Sequence, residues 1–171
     1  LMTKLLRDLT DYSMSDQLTK QRSDLCNLLR RAYLSCLPLT EGTNKTLTYT
    51  SRVSCAYMPL DSPKMMEALL NLIVNALDAV SDNGSVQIIL TKSNEQFVVS
   101  ITDDGCGIAP KQLLTIFHPF TTTKPDGTGL GLPVAKRIIE GHGGHIRVIS
   151  APNQGATFTF LLPCSFSSDK K

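Results

Sequence analysis

SPKMMEALLNLIVNALDAVSDNG, residues 62–84, carries two separate patterns on one helix. At about 100° per residue, Met66, Leu69, Ile73, Leu77 and Val80 gather on one side, while Lys64, Glu67, Asn71, Asn75 and Asp78 line the other. The first stripe is a core face. Ser62 is the expected N-cap, Pro63 takes the first helical position, and Asn83-Gly84 supplies the residue types that end a helix in a left-handed conformation. A polar stripe of this kind, taken alone, is an ordinary solvated surface. Its meaning depends on what the rest of the chain brings to it.

On the N-terminal side, residues 46–53 alternate Leu47, Tyr49, Ser51 and Val53 against polar neighbours, the pattern of a half-buried strand. Before that, Leu25, Leu28, Leu29, Ala32 and Cys36 mark an amphipathic helix with Ser23 as its expected cap and Pro38 as its stop. Residues 14–22 are polar and read as a linker, and Leu5, Leu6, Leu9 and Tyr12 give residues 1–13 the spacing of a helix whose beginning lies outside this chain. On the C-terminal side, SVQIILTK and QFVVSITD are two strands joined by a hairpin at 93–95. Residues 103–131 are dense in Gly, Pro and Thr and predict a long irregular loop with one short helix over 110–117. A helix over 132–141 and strands over 145–150 and 156–162 follow, with a turn at 151–155 and a polar tail over 164–171. This order predicts an α+β fold, a two-layer sandwich with helices on one face of a mixed sheet.

The 171 residues, 42% hydrophobic and 19% charged, suffice for one well-buried core, expected over 23–163. Seventeen basic residues against fifteen acidic ones give a net charge of +2 with no basic run, which argues against nucleic acid as a partner. No apolar run approaches the length of a membrane span, so this segment is expected to make no membrane contact and to be cytoplasmic, although a full-length protein that contains it can be membrane-anchored. Five cysteines with no C-x-x-C pair and no His at zinc spacing read as reduced thiols.

Two glycine-rich stretches carry the chemistry. Gly127-Thr128-Gly129-Leu130-Gly131 precedes a helix, so its backbone N–H groups and the helix N-terminus suit phosphate oxygens, though a flexible glycine hinge explains the stretch equally well. Asp103-Asp104-Gly105-Cys106-Gly107 ends a strand. A carboxylate fixed there accepts the exocyclic amine of adenine, and glycines beside it admit a flat base; an acidic β-turn is the plainer alternative.

Five blocks in one order decide between these readings: N-x-x-x-N-A-x-D-A at 71–79, D-x-G-x-G at 103–107, F-x-P-F-T-T-T-K at 117–124, G-x-G-L-G-L at 127–132 and G-A-T-F at 155–158. Together they resemble the ATP-binding catalytic domain of sensor histidine kinases, within the wider family of gyrase, Hsp90 and MutL. The resemblance implies the Bergerat-type fold and two cofactors, ATP and Mg²⁺. It makes Asn75 the metal ligand, with Asn71 and Asp78 beside it at the phosphates or the metal shell. Asp103, Gly105, Gly107 and Thr157 would form the adenine end, although Ala156 stands where the family often has Thr. Phe117 and Phe120 would pin the near end of a lid over the nucleotide. Lys124 would approach the phosphates, and Gly127, Thr128, Gly129, Leu130, Gly131 and Leu132 would wrap them.

Position 71 separates branches of that family. Hydrolysing relatives carry Glu four residues before the metal-binding Asn; here Asn71 cannot act as a base, so transfer of the γ-phosphoryl group is implied rather than hydrolysis, with Asn71 and Lys124 as the catalytic pair. The acceptor would be a histidine on a dimerising hairpin of the same or a sister chain, of which residues 1–13 would be the last turns. A response-regulator aspartate would be the later recipient, and the full-length protein would be a homodimer. None of His118, His142 and His145 has the H-E-x-x-x-P surroundings of a phosphoacceptor, so this chain is expected to bind ATP without phosphorylating itself. Two other readings stay open: an ATP-binding regulatory module without chemistry, and a MutL- or gyrase-like ATPase. The loop composition at 121–131 also predicts poor order without nucleotide and ordering with it.

Overall fold

A computed structural model describes residues 17–122, 124 and 127–164; the helix expected over 1–13 and, past Cys164, the tail expected over 164–171 lie outside the described residues. In chain order the elements are strand β1 (Gln21–Asp24), helix α1 (Leu25–Cys36), strands β2 (Thr46–Ser51) and β3 (Tyr57–Leu60), helix α2 (Ser62–Ala79), and strands β4 (Ser85–Ser93) and β5 (Gln96–Asp103). The short turn α3 (Pro110–Leu113), helix α4 (Gly131–Gly141), and strands β6 (His145–Ser150) and β7 (Ala156–Pro163) complete the chain.

Period-2 sequence makes the sheet. Val86, Ile88 and Leu90 of β4, Phe97, Val99 and Ile101 of β5, and Phe158, Phe160 and Leu162 of β7 are all buried, and their polar neighbours point the other way. The five strands lie in the order β2-β4-β5-β7-β6. β2 runs parallel to β4, a pairing that needs a crossover, and α2 lies in that connection. The remaining neighbours are antiparallel, so the sheet is mixed as the α+β reading requires. Leu28 and Leu29 of α1, Leu69, Leu72 and Ile73 of α2, and Ala135, Ile138 and Ile139 of α4 join the strands' buried residues in one core.

The apolar stripe of α2 is wider than its sequence pattern: Met65, Ala68, Leu72 and Ala76 are buried beside Leu69, Ile73 and Leu77, while Met66 is half-buried. Both helix ends also differ from expectation. Asp61, not Ser62, is the N-cap, its Oδ1 accepting from Lys64 N at 3.1 Å, because Asp61 alone keeps the extended backbone of a cap. At the other end neither Asn83 nor Gly84 takes a left-handed conformation. Val80 turns extended instead, and the final carbonyls find other donors: Lys45 Nζ reaches Leu77 O at 2.9 Å, and Cys106 N reaches Ala79 O at 3.2 Å. Likewise Asp24, not Ser23, caps α1, accepting from Cys26 N at 3.0 Å.

The sequence reading misses a second, two-stranded sheet, in which β1 pairs antiparallel with β3, so part of the expected linker is strand. The polar run of β1 and the Tyr-Met-Pro-Leu run of β3 show no alternation of residue type, although Met58 and Leu60 of β3 are buried; only the pairing defines the two strands, and Pro is tolerated where one edge is free. The helix expected over 110–117 is regular only to Leu113.

Candidate functional site

Helix α2 presents three positions in line. Asn71, Asn75 and Ala79 follow one another at four-residue steps, and a rise of about 1.5 Å per residue spreads them over about 12 Å of one face. Each meets a different loop motif. Gly131 lies beside Asn71, where a Cβ on that glycine would stand 3.4 Å from Asn71 Oδ1. Asn75 Oδ1 accepts from Lys124 Nζ at 2.9 Å, and the same ammonium lies 2.9 Å from Asp78 Oδ2. The carbonyl of Ala79 accepts from Cys106 N at 3.2 Å, and a Cβ on Gly105 would collide with it. Three blocks far apart in sequence thus converge on one helix.

At the Ala79 end stands Asp103, 4% exposed at the terminus of β5. Its Oδ1 accepts from Gly105 N at 3.0 Å and from Ala156 N at 3.2 Å; among the described residues Oδ2 accepts no further hydrogen bond. Burial pushes the carboxyl pKa up from its ordinary value, the two N–H donors pull it back, and Asp104 adds to the rise. Asp104 faces solvent and clamps the start of β4, accepting from Ser85 N at 2.8 Å and Ser85 Oγ at 2.6 Å, which holds its pKa below the usual value. The loop itself is locked to the turn after β6 by Gly155 N to Gly105 O (3.0 Å) and Asn153 N to Cys106 O (2.8 Å). Gly107 has φ +67, and a Cβ there would collide with the carbonyl of Ala151, so this position demands glycine.

The segment after β5 returns to the same place. Phe117 packs edge-on against Phe158, ring centroids 6.4 Å apart, with Lys136 Nζ 5.4 Å above its ring, which anchors the segment on the sheet. Phe120 does not pin it with its side chain, which is 59% exposed; its backbone does, at φ +65, through Phe120 N to Gly129 O at 3.0 Å. Gly129 has φ +66 and fits against that backbone, where any Cβ would meet Phe120 C at 2.6 Å. Gly127 N donates to Lys124 O at 3.1 Å. Leu130 is buried and Leu132 packs half-buried on the core, so both offer only backbone to the site; Thr128 is half-buried. Leu130 supplies no capping side chain to α4, whose first residue, Gly131, lies beside Asn71. The order expected for 121–131 concerns a stretch of which Thr123, Pro125 and Asp126 lie outside the described residues.

One candidate is not brought to the site. Thr157 lies on the opposite sheet face from Asp103, its Oγ1 3.1 Å from Thr102 Oγ1; period-2 alternation turns Ala156, not Thr157, toward the carboxylate. Conversely, the carbonyl of Ala79 and the N–H of Ala156 belong to the site although side-chain reasoning passed over them. The signal for the first was present as a small residue continuing the four-residue step of Asn71 and Asn75.

The donor set suits a hard cation. An amide oxygen and a carboxylate, Asn75 and Asp78, already hold a positive charge in Lys124 Nζ, and such oxygens are what Mg²⁺ takes while keeping several waters. Among the described residues no three His, Cys, Asp or Glu side chains converge to hold a metal alone. No described helix is long and apolar enough to cross a membrane.

Comparison with known proteins accords with this geometry. Residues 60–165 match the family model of histidine kinase-, DNA gyrase B- and HSP90-like ATPases. The chain is 34% identical over 163 residues to the sensor histidine kinase ZraS of Salmonella typhimurium, covering 95% of this chain and 35% of that one. It therefore spans about a third of the length of the curated relatives it matches. The catalytic domain of histidine kinase ThkA superposes with a TM-score of 0.78 at 29% identity over 85% of this chain and 96% of that one. Full-length ShkA in complex with AMPPNP gives 0.85 at 25% identity, over 95% of this chain and 35% of that one. ThkA in complex with the response regulator TrrA gives 0.81 at 25%, over 95% and 47%. The chain belongs to the family of histidine kinase-, DNA gyrase B- and HSP90-like ATPases.

Proposed function

We propose that this chain is the ATP-binding catalytic domain of a sensor histidine kinase, which holds Mg·ATP for transfer of the γ-phosphoryl group to a histidine on a dimerising hairpin and, beyond it, to a response-regulator aspartate. One observation carries the reading: the buried carboxylate of Asp103 at one end of the α2 face, and Asn71 and Asn75 with their glycine loop at the other, about 12 Å of helix that suits a nucleotide laid base to phosphate. Asp103 would take the adenine amine on its free oxygen, with Gly105 and Gly107 keeping the approach open. Asn75 would ligate Mg²⁺, and Asn71 would meet a phosphate or a metal-bound water. The bound ion would neutralise phosphate charge; the chain's part is to align the γ-phosphate and exclude water.

Transfer is favoured over hydrolysis because the place of a general base is taken by Asn71, whose amide does not accept a proton at neutral pH. The acceptor would come from the hairpin of the same or a sister chain in a homodimer. Within this chain His142 is a poor acceptor, being buried with both ring nitrogens bonded, to Asp61 N at 2.9 Å and Ile138 O at 2.7 Å. The test is calorimetric titration of ATP and of ADP, with and without Mg²⁺. Saturable binding strengthened by the metal, with no radiolabel on the isolated chain, is the expected result. A folded chain that binds neither nucleotide overturns the reading.

A further inference from the structure

The ammonium of Lys124 sits on the one oxygen that the nucleotide reading assigns to a metal. Nζ lies 2.9 Å from Asn75 Oδ1 and 2.9 Å from Asp78 Oδ2, with the Lys124 and Asp78 side chains 41% and 54% exposed. Asp78 stands three residues beyond Asn75 on α2, so its carboxylate flanks the amide oxygen, and among the described residues it pairs only with this lysine. The carboxylate is exposed and takes no part in the core.

Two cations cannot share that oxygen. A divalent ion bound to it at about 2.1 Å would stand within a few ångströms of the ammonium, and the repulsion between them would expel one. Resting on the nucleotide reading above, we infer that Asp78 is a positioning residue: it keeps Lys124 on Asn75 while no nucleotide is bound, and Lys124 exchanges places with the nucleotide's divalent cation. The pair is exposed enough to be weak, which makes the exchange reversible. Asp78 then faces the incoming metal ion across its water shell, and the released ammonium needs a new anion. A triphosphate offers an additional anion in its γ-phosphate, which a diphosphate lacks. Both nucleotides must displace Lys124, yet only the triphosphate brings that additional anion to it, so the arrangement discriminates ATP from ADP.

Binding of ADP and ATP to the wild type and to Lys124→Met tests this. Removing the ammonium should tighten Mg·ADP by about two- to fivefold, the worth of an exposed pair, and leave metal-free ADP unchanged. Mg·ATP should gain less or weaken, so the preference for ATP narrows. Mg·ADP that is unchanged or weakened in the variant overturns the exchange, because Lys124 would then be only a phosphate contact. A second readout needs no nucleotide: the ¹⁵N signal of the Lys124 ammonium, assigned by its loss in Lys124→Met, should shift in Asp78→Asn. An unmoved signal overturns the Asp78 contact itself. Failure of the wild type to bind any nucleotide would remove the nucleotide reading and the exchange with it, while the ammonium signal would still judge whether Asp78 holds Lys124.

Discussion

The two ends of α2 each hold a buried ionisable group, and they differ in what is left over. At the N-terminal end Asp61 accepts from Lys64 N on Oδ1 and from Thr19 N on Oδ2, and its own N–H donates to His142 Nε2. An N–H can only donate, so Nε2 accepts and Nδ1 carries the proton toward Ile138 O: the ring is neutral and fully bonded. A concavity of about 430 Å³ lies beside Asp61, bordered by Thr19 and Lys64, yet every polar atom of the pair is met within the chain. At the other end Asp103 spends both described bonds on one oxygen, and among the described residues the oxygen of Asn75 is held only by Lys124, whose side chain is 41% exposed. A saturated buried cluster is architecture; acceptors left open at the edge of a glycine-lined loop mark a ligand site.

The sharpest way to break this contrast is His142→Ala. It strands Asp61 N in a buried setting and opens a hole, so stability should fall by about 2–4 kcal/mol in denaturant titration, while nucleotide affinity of the folded fraction stays within about twofold. Comparable damage to binding would mean that the two ends are one functional unit. The reciprocal change is Asp103→Asn. The amide keeps an oxygen for Gly105 N and Ala156 N but loses the charge-assisted acceptor, so ATP affinity should drop about 10- to 100-fold. Because burial raises the pKa of Asp103, the folded state disfavours its charge; a neutral amide should leave Tm unchanged or higher. A large loss of Tm would place Asp103 with the architecture.

The pH dependence separates the ends more finely. Burial pushes the His142 pKa below the ordinary imidazole value, so the unfolded chain binds the proton first. Its contribution is fully present above about pH 6.5 and is lost as pH falls below that toward the folded pKa. Thermal melts should show declining Tm on that limb in the wild type and a flatter limb in His142→Ala. The smallest effect belongs to a pair on the same polar stripe: Lys64 and Glu67 lie 3.2 Å apart with side chains 41% and 31% exposed. Lys64→Met should change stability by less than about 0.5 kcal/mol and binding not at all.

What was legible followed from period and motif. Alternation in β4, β5 and β7 gave the sheet, and the coincidence of five blocks gave the candidate site, because residues such as Asn75 and Asp103 are chosen by side-chain chemistry and Gly107 by a positive φ. Long-range pairing escaped: the β1–β3 ribbon has no local pattern, and the Asp61–His142 contact joins residues 81 apart in the chain. Parity decided Thr157, which a motif match placed beside the base and the strand register turned to the opposite face. Helix ends escaped as well. Neighbouring residues of similar type compete for a cap, as Ser62 did with Asp61, and the terminus near Ala79 is completed by Lys45 and Cys106 from distant loops.

The claim that one face of α2 carries the whole nucleotide is tested most directly by NMR titration with ATP, following the side-chain amides of Asn71 and Asn75 with the backbone amides of Gly105 and Gly131. All four should move along one saturation curve, and the Asn75 signal should need Mg²⁺ for its full shift. Shifts at Gly131 that leave Gly105 and Asn75 unmoved, or four signals that saturate at different concentrations, would contradict the account.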